Sequence, residues 1–414
     1  MKQIYTDMKK IASLILFFSL SILINAQESK EKNVASFDLG SGLNFSFNEG
    51  NYQFNFGGFV TPTYSYSKVS GKDGENTFNA RNAFLILSGK AVKEKVSFLV
   101  QTDYSQSQPL LDAWLAYHLT KDITITFGQK QTFINNREMT YREDRLQFTN
   151  RSLLSQTLSN TGREFGVFIE SKFKVGNKFG FAPMFALTSG DGRNSFGNDS
   201  RDSDLGGLKV GGRLDLYPLG FFTDGNDLFS ADLAHEENLK LVIGAAASKN
   251  FGASNANGEG HGDFLLFSAN GSENLPDYSQ AYIDLLLKYK GFSLLAEYAI
   301  ARAEGLDLVY TDEAATQILA PQQISEFLVL GDSYNVQAGY VTKKGFGFDL
   351  RYESATPEFE SNLNSLLTDY SGFTLGLTKY FDNNNLKMQA SISSIDIKNV
   401  GNQTVGEFLI QIVF

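Results

Sequence analysis

The chain predicts an all-β fold, a transmembrane antiparallel up-and-down β-barrel of about 16 strands, on three observations. It ends on an amphipathic strand, EFLIQIVF over 407–414, in which Phe408, Ile410, Ile412 and Phe414 share one face. Segments with one consistently apolar face recur at period two along the sequence. Short and long connections alternate between them, as a barrel with tight turns on one rim and loops on the other requires.

From the N-terminus, Lys9 and Lys10 precede an apolar run over 11–24, and Ala26 precedes Gln27, so 1–26 reads as a secretory signal peptide. Its removal takes Lys2, Lys9, Lys10 and Asp7 from 36 basic and 46 acidic residues, leaving 33 against 45 and a net charge of −12. An acidic chain of this kind argues against nucleic acid as a partner. Beyond the leader no stretch reaches the roughly 18 apolar residues of a membrane-spanning helix, so any span has to be β. The absence of cysteine removes disulfides, thiolate metal sites and Cys nucleophiles, and no cofactor is expected. Phe 36, Tyr 18 and Gly 38 against Pro 7 suit alternating strands with aromatic girdles in the lipid bilayer of a bacterial outer membrane.

Residues 27–50 read as an N-terminal periplasmic segment or hairpin, with 43–47 and 51–56 as arms around Asn48, Glu49 and Gly50. The barrel occupies 51–414. Its strands are expected to start near Tyr52, Phe78, Val96, Leu111, Ile123, Glu164, Phe179, Leu208, Leu239, Ala281, Phe292, Tyr334, Gly345, Tyr370, Leu386 and Glu407. The two faces separate most clearly over 346–353, where Phe346, Phe348, Leu350 and Tyr352 oppose Gly347, Asp349, Arg351 and Glu353. They separate again over 208–217, where Lys209, Arg213 and Asp215 oppose Leu208, Val210, Leu214 and Leu216. One face suits lipid and the other water.

Tight turns are expected at 91–95, 120–122, 176–178, 290–291, 342–344 and 382–385, and longer connections at 67–77, 105–110, 132–163, 189–207, 251–280, 303–333, 354–369 and 399–406. Connection 218–238 breaks the alternation, being long where a tight turn is due. The stretches 189–207 and 252–263 read as solvated tips. Asp191, Asn194, Asn198, Asp199, Asp202 and Asp204 lack the spacing of an EF-type calcium loop, so no metal is expected.

The segment after Lys130 is unlike the other connections. It carries Lys130, Arg137, Arg142, Arg145, Arg151 and Arg163 against Glu138, Glu143, Asp144 and Glu164, a net +2 in an acidic chain. Its Phe133, Ile134, Leu146, Phe148, Leu153, Leu154 and Leu158 need a surface to pack on, and the inside of the barrel offers one. Folded inward, this third loop narrows the channel, and its basic side chains form a constriction that attracts anions. Folded outward, its Arg and Glu residues pair with one another instead. Other lumen candidates are Asp112, Trp114, Lys209, Arg213 and Arg351, with Trp114 either stacking on a solute or packing beneath the loop.

The runs ITITFGQKQ at 123–131, DRLQFTNRS at 144–152 and GREFGV at 162–167 resemble the phosphate-selective porin O and P family. So do LDAWLAY at 111–117 with the preceding Leu110, DGNDLFSADLAHEENLK at 224–240 and YNVQAGY at 334–340. The resemblance spans most of 51–414 and implies a sixteen-stranded, homotrimeric outer-membrane channel with its third loop at the constriction. It departs from the family pattern at Asn150, where an acidic residue precedes Arg-Ser, and at Asp144-Arg145, whose order is reversed.

Passive diffusion of small hydrophilic solutes through a porin, with anions, phosphate among them, preferred, is the function these features predict. Two other classes remain open. A plugged barrel would serve as an adhesin or secretion-associated surface protein, with its lumen packed by loops. A hydrolase would have to use His118, His235 or His261, of which only His118 sits at a strand end.

Overall fold

The computed structural model describes residues 34–176, 178–193 and 206–414. The expected signal peptide, residues 27–33 and, from the acidic stretch, Asn194, Asn198, Asp199, Asp202 and Asp204 lie outside the described residues.

Two short strands, β1 (Val34–Asp38) and β2 (Gly42–Phe47), precede the barrel. The wall begins with β3 (Tyr52–Val69), β4 (Glu75–Ala91), β5 (Val96–Asp103), β6 (Leu110–His118) and β7 (Ile123–Gln131). It continues with β8 (Arg163–Ser171) and β9 (Phe173–Val175), two pieces of one wall strand interrupted at Lys172, both paired to β10 (Phe179–Thr188). Then come β11 (Lys209–Tyr217), β12 (Lys240–Asn250), β13 (Asp277–Tyr289) and β14 (Phe292–Glu304). The last strands are β15 (Gly331–Val341), β16 (Phe346–Pro357), β17 (Tyr370–Asp382), β18 (Leu386–Ile397) and β19 (Gly401–Val413). Each pairs antiparallel with its sequence neighbour, and β19 returns to β3 to close a 16-strand barrel.

The closing seam is built from two strands laid end to end along one edge of β3. The β2 strand pairs with its first part, Leu43 opposite Phe56, while β19 pairs with the rest, Phe408 opposite Tyr64 and Val413 opposite Phe59. They meet where Phe414 N–H donates to Gly58 O at 2.9 Å and Gly58 N–H to Phe414 O at 2.7 Å. This approach is why Gly57 lacks a side chain: a Cβ there would stand 2.6 Å from the Phe414 carbonyl oxygen.

Burial inverts the rule for water-soluble proteins. On β16, Phe348 and Leu350 are 55% and 47% exposed while Asp349 and Arg351 are 6% and 4% exposed. A row of exposed apolar side chains on a sheet closed on itself fits a hydrocarbon surrounding, because closure leaves no unpaired backbone edge within it. Cross-strand aromatic pairs such as Tyr298–Tyr334 and Tyr352–Phe373, with centroids 4.8 Å and 4.9 Å apart, knit that outer face.

Three connections depart from the expected pattern. The links at 67–77 and 399–406 shrink to 70–74 and 398–400, because β3–β4 and β18–β19 stay paired through Ser67–Glu75 and Ile397–Gly401. Asn76, Asn402, Gln403 and Thr404 carry the hydrogen-bond ladder past the apolar band, so hydrophobic alternation ends before the strand does. The stretch 252–263 is no solvated tip: Ala253, Ser254, Glu259 and His261 are buried. Its small residues allow tight turns, one closed by Asn250 donating to Gly258 O at 2.6 Å, which fold it over the outer mouth. There Leu266 joins Val309, Ile324 and Leu328 in one apolar cluster with Leu154 and Leu158. Connection 218–239 is long, as expected, and folded onto the wall, with Lys288 Nζ donating to the Phe229 and Ala231 carbonyls, both at 2.8 Å.

Candidate functional site

Segment 132–162 is irregular, with helical turns at Arg137–Thr140 and Leu153–Thr157 and a tight turn at Glu143–Arg145. Ser152 starts the second helical turn by accepting a hydrogen bond from Ser155 N–H at 3.3 Å. The segment is held by buried polar side chains of the wall. Arg137 reaches Asp284 at 2.6 Å and Asp215 at 2.9 Å, and Arg213 joins the same pair of carboxylates, 2.8 Å from Asp215. Two guanidinium groups therefore share two carboxylates, with charges and donors satisfied together.

A second anchor centres on Glu138. Its carboxylate accepts from Ser152 N–H at 2.8 Å and lies 3.5 Å from Arg351, which is itself 3.4 Å from Glu353. Further round the wall, Gln147 donates to Asp349 at 2.6 Å, Lys387 to Asp144 O at 2.8 Å, and Thr149 to Glu407 at 2.7 Å. Tyr282 donates to Leu158 O at 2.9 Å, and Arg163 on β8 stands 3.1 Å from Asp112 on β6. The partners come from strands distributed around the barrel.

Each of the six basic candidates faces a carboxylate. Arg137 and Arg163 are paired as described; Lys130 meets Glu170 at 2.5 Å, Arg142 meets Asp144 at 2.5 Å, and Arg151 meets Glu143 at 3.2 Å. Arg145 is the most weakly held, 4.0 Å from Asp144 with its guanidinium 5.7 Å from the Phe229 ring. Burial and the like charge of Arg142 pull its guanidinium down to about 10, so it stays charged at neutral pH. Burial alone would raise Asp144, yet Arg142 holds its carboxyl below the usual range; Arg163 and Arg151 do the same for Glu143 against burial.

Lys209 is buried against Glu164 at 2.7 Å, while Asp112, Arg213 and Arg351 are buried in the bonds above. Trp114 is placed apart from the loop. It lines a cavity of about 410 Å³ shared with Asn44 and Ser46 of the N-terminal hairpin and Ser88 and Ser97 of the wall. His118 bonds to Ser97 at 2.9 Å and Thr124 at 3.0 Å, so among the described residues both of its ring nitrogens meet hydroxyls.

Open space gathers where the returning arm of the segment meets β16–β19. A cavity of about 450 Å³ is lined there by Thr149, Asn150 and Arg151 together with Thr374, Ser391 and Gln403. A smaller one, about 120 Å³, lies between the same three residues and Thr61, Arg81, Asn82, Gln389 and Gln411. Arg151 also lines a third, of about 290 Å³, with Glu143, Gln156 and Arg163.

No family model and no curated protein matches the chain. Solved structures do. An anion-selective porin from Comamonas acidovorans aligns at TM-score 0.53 and 11% identity, over 88% of this chain and 100% of that one. OprB of Pseudomonas putida aligns at 0.52 and 11% over 87% and 94%, and the trimer form of OmpT, an outer membrane protein of Vibrio cholerae, at 0.51 and 11% over 88% and 99%. The fold is that of outer-membrane porins.

Within this porin fold, two side chains beside the openings escaped the sequence pattern. Arg81 and Glu407 form a salt bridge across the seam, and Arg81 also donates to Thr149 O. Register shifts between Val60 and Pro62, where Val60 faces Ala83 and Pro62 faces Ala80, so β4 bulges and turns Arg81 away from simple alternation. Pro62, lacking a ladder donor inside a strand, was the available signal.

Proposed function

We propose that this protein is an outer-membrane porin through which small hydrophilic solutes diffuse passively, with segment 132–162 lying across the lumen and the solute path running past Arg151. The supporting observation is the set of cavities that meet at Thr149–Arg151, between an anchored segment and the polar inner face of a closed barrel. Loop width sets the size limit, and binding along the path is weak enough to release. The homotrimer implied by the sequence resemblance belongs to this proposal; migration as a larger, heat-dissociable species in mild detergent tests it.

Anion preference, and phosphate preference within it, takes a weak form here. Lys130, Arg137, Arg142, Arg145, Arg151 and Arg163 stand within 4.0 Å of acidic side chains and project little net field into the path. Planar-bilayer recording decides both levels: stepwise conductance is expected, with a small reversal potential in a KCl gradient. An absence of conductance overturns the channel, and a strong cation preference overturns the anion assignment alone.

The plugged barrel is favoured by one observation: Phe59, Phe84, Asp284, Gln389 and Gln411, lumen-facing on strands around the wall, are buried. Removal of 137–158 separates the two readings. A porin gains several-fold conductance over an already conducting parent, whereas a plugged barrel conducts only after the removal.

A further inference from the structure

Resting on the porin reading, we propose that the path beside Arg151 selects small uncharged polyhydroxylated solutes, polyols and monosaccharides, over anions or cations of equal size. Among the polar side chains lining the two cavities that meet at Thr149–Arg151, amides and hydroxyls outnumber charges: Thr374, Ser391 and Gln403 in the upper one, Asn82, Gln389 and Gln411 in the lower. Their charged neighbours are already engaged. Arg81 is bound to Glu407, Arg151 donates to the Glu138 and Tyr141 carbonyls at 2.8 Å and 2.7 Å, and Arg351 lies between Glu138 and Glu353.

An ion entering a passage this narrow sheds water, and no unpaired opposite charge offsets the loss. A hydroxyl-bearing solute exchanges its water hydrogen bonds for bonds to Asn, Gln, Ser and Thr, which both donate and accept. The upper cavity also offers Leu367, Ile395 and Val405, against which the C–H face of a sugar or polyol packs. The lower cavity, about 120 Å³, is the smallest of the three, which confines passage to small members of the class.

Proteoliposomes bearing the full-length protein test this by swelling in isotonic arabinose, its carboxylate arabinonate, and an amino-sugar of equal size. Arabinose is expected to enter several-fold faster than either charged analogue, in vesicles that also conduct KCl. Equal or faster entry of a charged analogue, with KCl conductance intact, overturns the polyol assignment and leaves the porin. Absence of both conductance and swelling overturns both. Glu407→Gln frees Arg81, so arabinonate entry is expected to rise several-fold toward that of arabinose. The double variant Arg81→Gln/Glu407→Gln removes both charges and is expected to restore the parent's preference. If arabinonate stays as slow in a folded Glu407→Gln barrel, the paired charges do not set selectivity and the assignment falls.

Discussion

At the residue scale, the interior is organised by charge pairing. Arg137 is the clearest case, since its guanidinium serves Asp215 and Asp284 together. Arg137→Gln leaves Arg213 alone against two buried carboxylates, and breaking a buried pair costs about 3–5 kcal/mol. A lower temperature of heat-induced unfolding in detergent and noisier single-channel current are expected; a variant matching the parent in both would show that the anchor is dispensable. Acid acts at the same place with a definite sign. Asp144 and Glu143 titrate below their unfolded values near 4, so their contribution is complete above that range and is lost as pH falls through the depressed values. The stabilisation that Asp144 supplies, read as the unfolding temperature of the parent minus that of Asp144→Asn, is expected to be steady above about pH 5 and to fall away only below about 4; a difference undiminished at about pH 2 would contradict this. The sequence made these charges visible but not their pairing, because Arg137 and Asp284 are brought together by tertiary structure alone.

At the element scale, alternation made most wall strands legible. Phe346 to Glu353 needs no more than period two and a knowledge that the chain crosses lipid. Legibility failed where hydrogen bonding and hydrophobicity part company: polar strand ends past the membrane, the bulge at Arg81, and the Gly/Asn-rich stretch that caps the mouth. Segment 132–162 was recognisable by its Arg and apolar content, but its partners were not, since irregular backbone takes its shape from what it touches. Gly57 gives a direct test of the seam. Gly57→Val brings side-chain carbon against the Phe414 carbonyl and weakens the β3–β19 joint. Heat-resistant migration on unheated gels should fall, while Gly176→Val, in a turn where nothing stands within 4 Å, serves as a strained but uncrowded control.

For the whole molecule, two long connections meet each other. Arg145 of segment 132–162 lies over Phe229 of connection 218–239, and Asn384, in the turn before β18, donates to Asp144 O at 3.0 Å. The loop is thus fastened to turns at the opposite rim from its own roots. Phe229→Ala is expected to free that contact and raise conductance modestly without unfolding the barrel; unchanged current would leave the contact without a role in permeation.

The seam carries a consequence for the order of assembly. Other wall pairs join strands that follow one another along the chain, but β19 and β3 come from opposite ends. The entropy of bringing chain segments together grows with their separation, so hairpins are cheap to nucleate and closure is the costly encounter. Sheet content should therefore appear before compactness when the unfolded protein is diluted into detergent, with a curled, open intermediate between them. Its exposed β3 edge is a template for another chain, which makes dilute conditions the favourable ones for refolding.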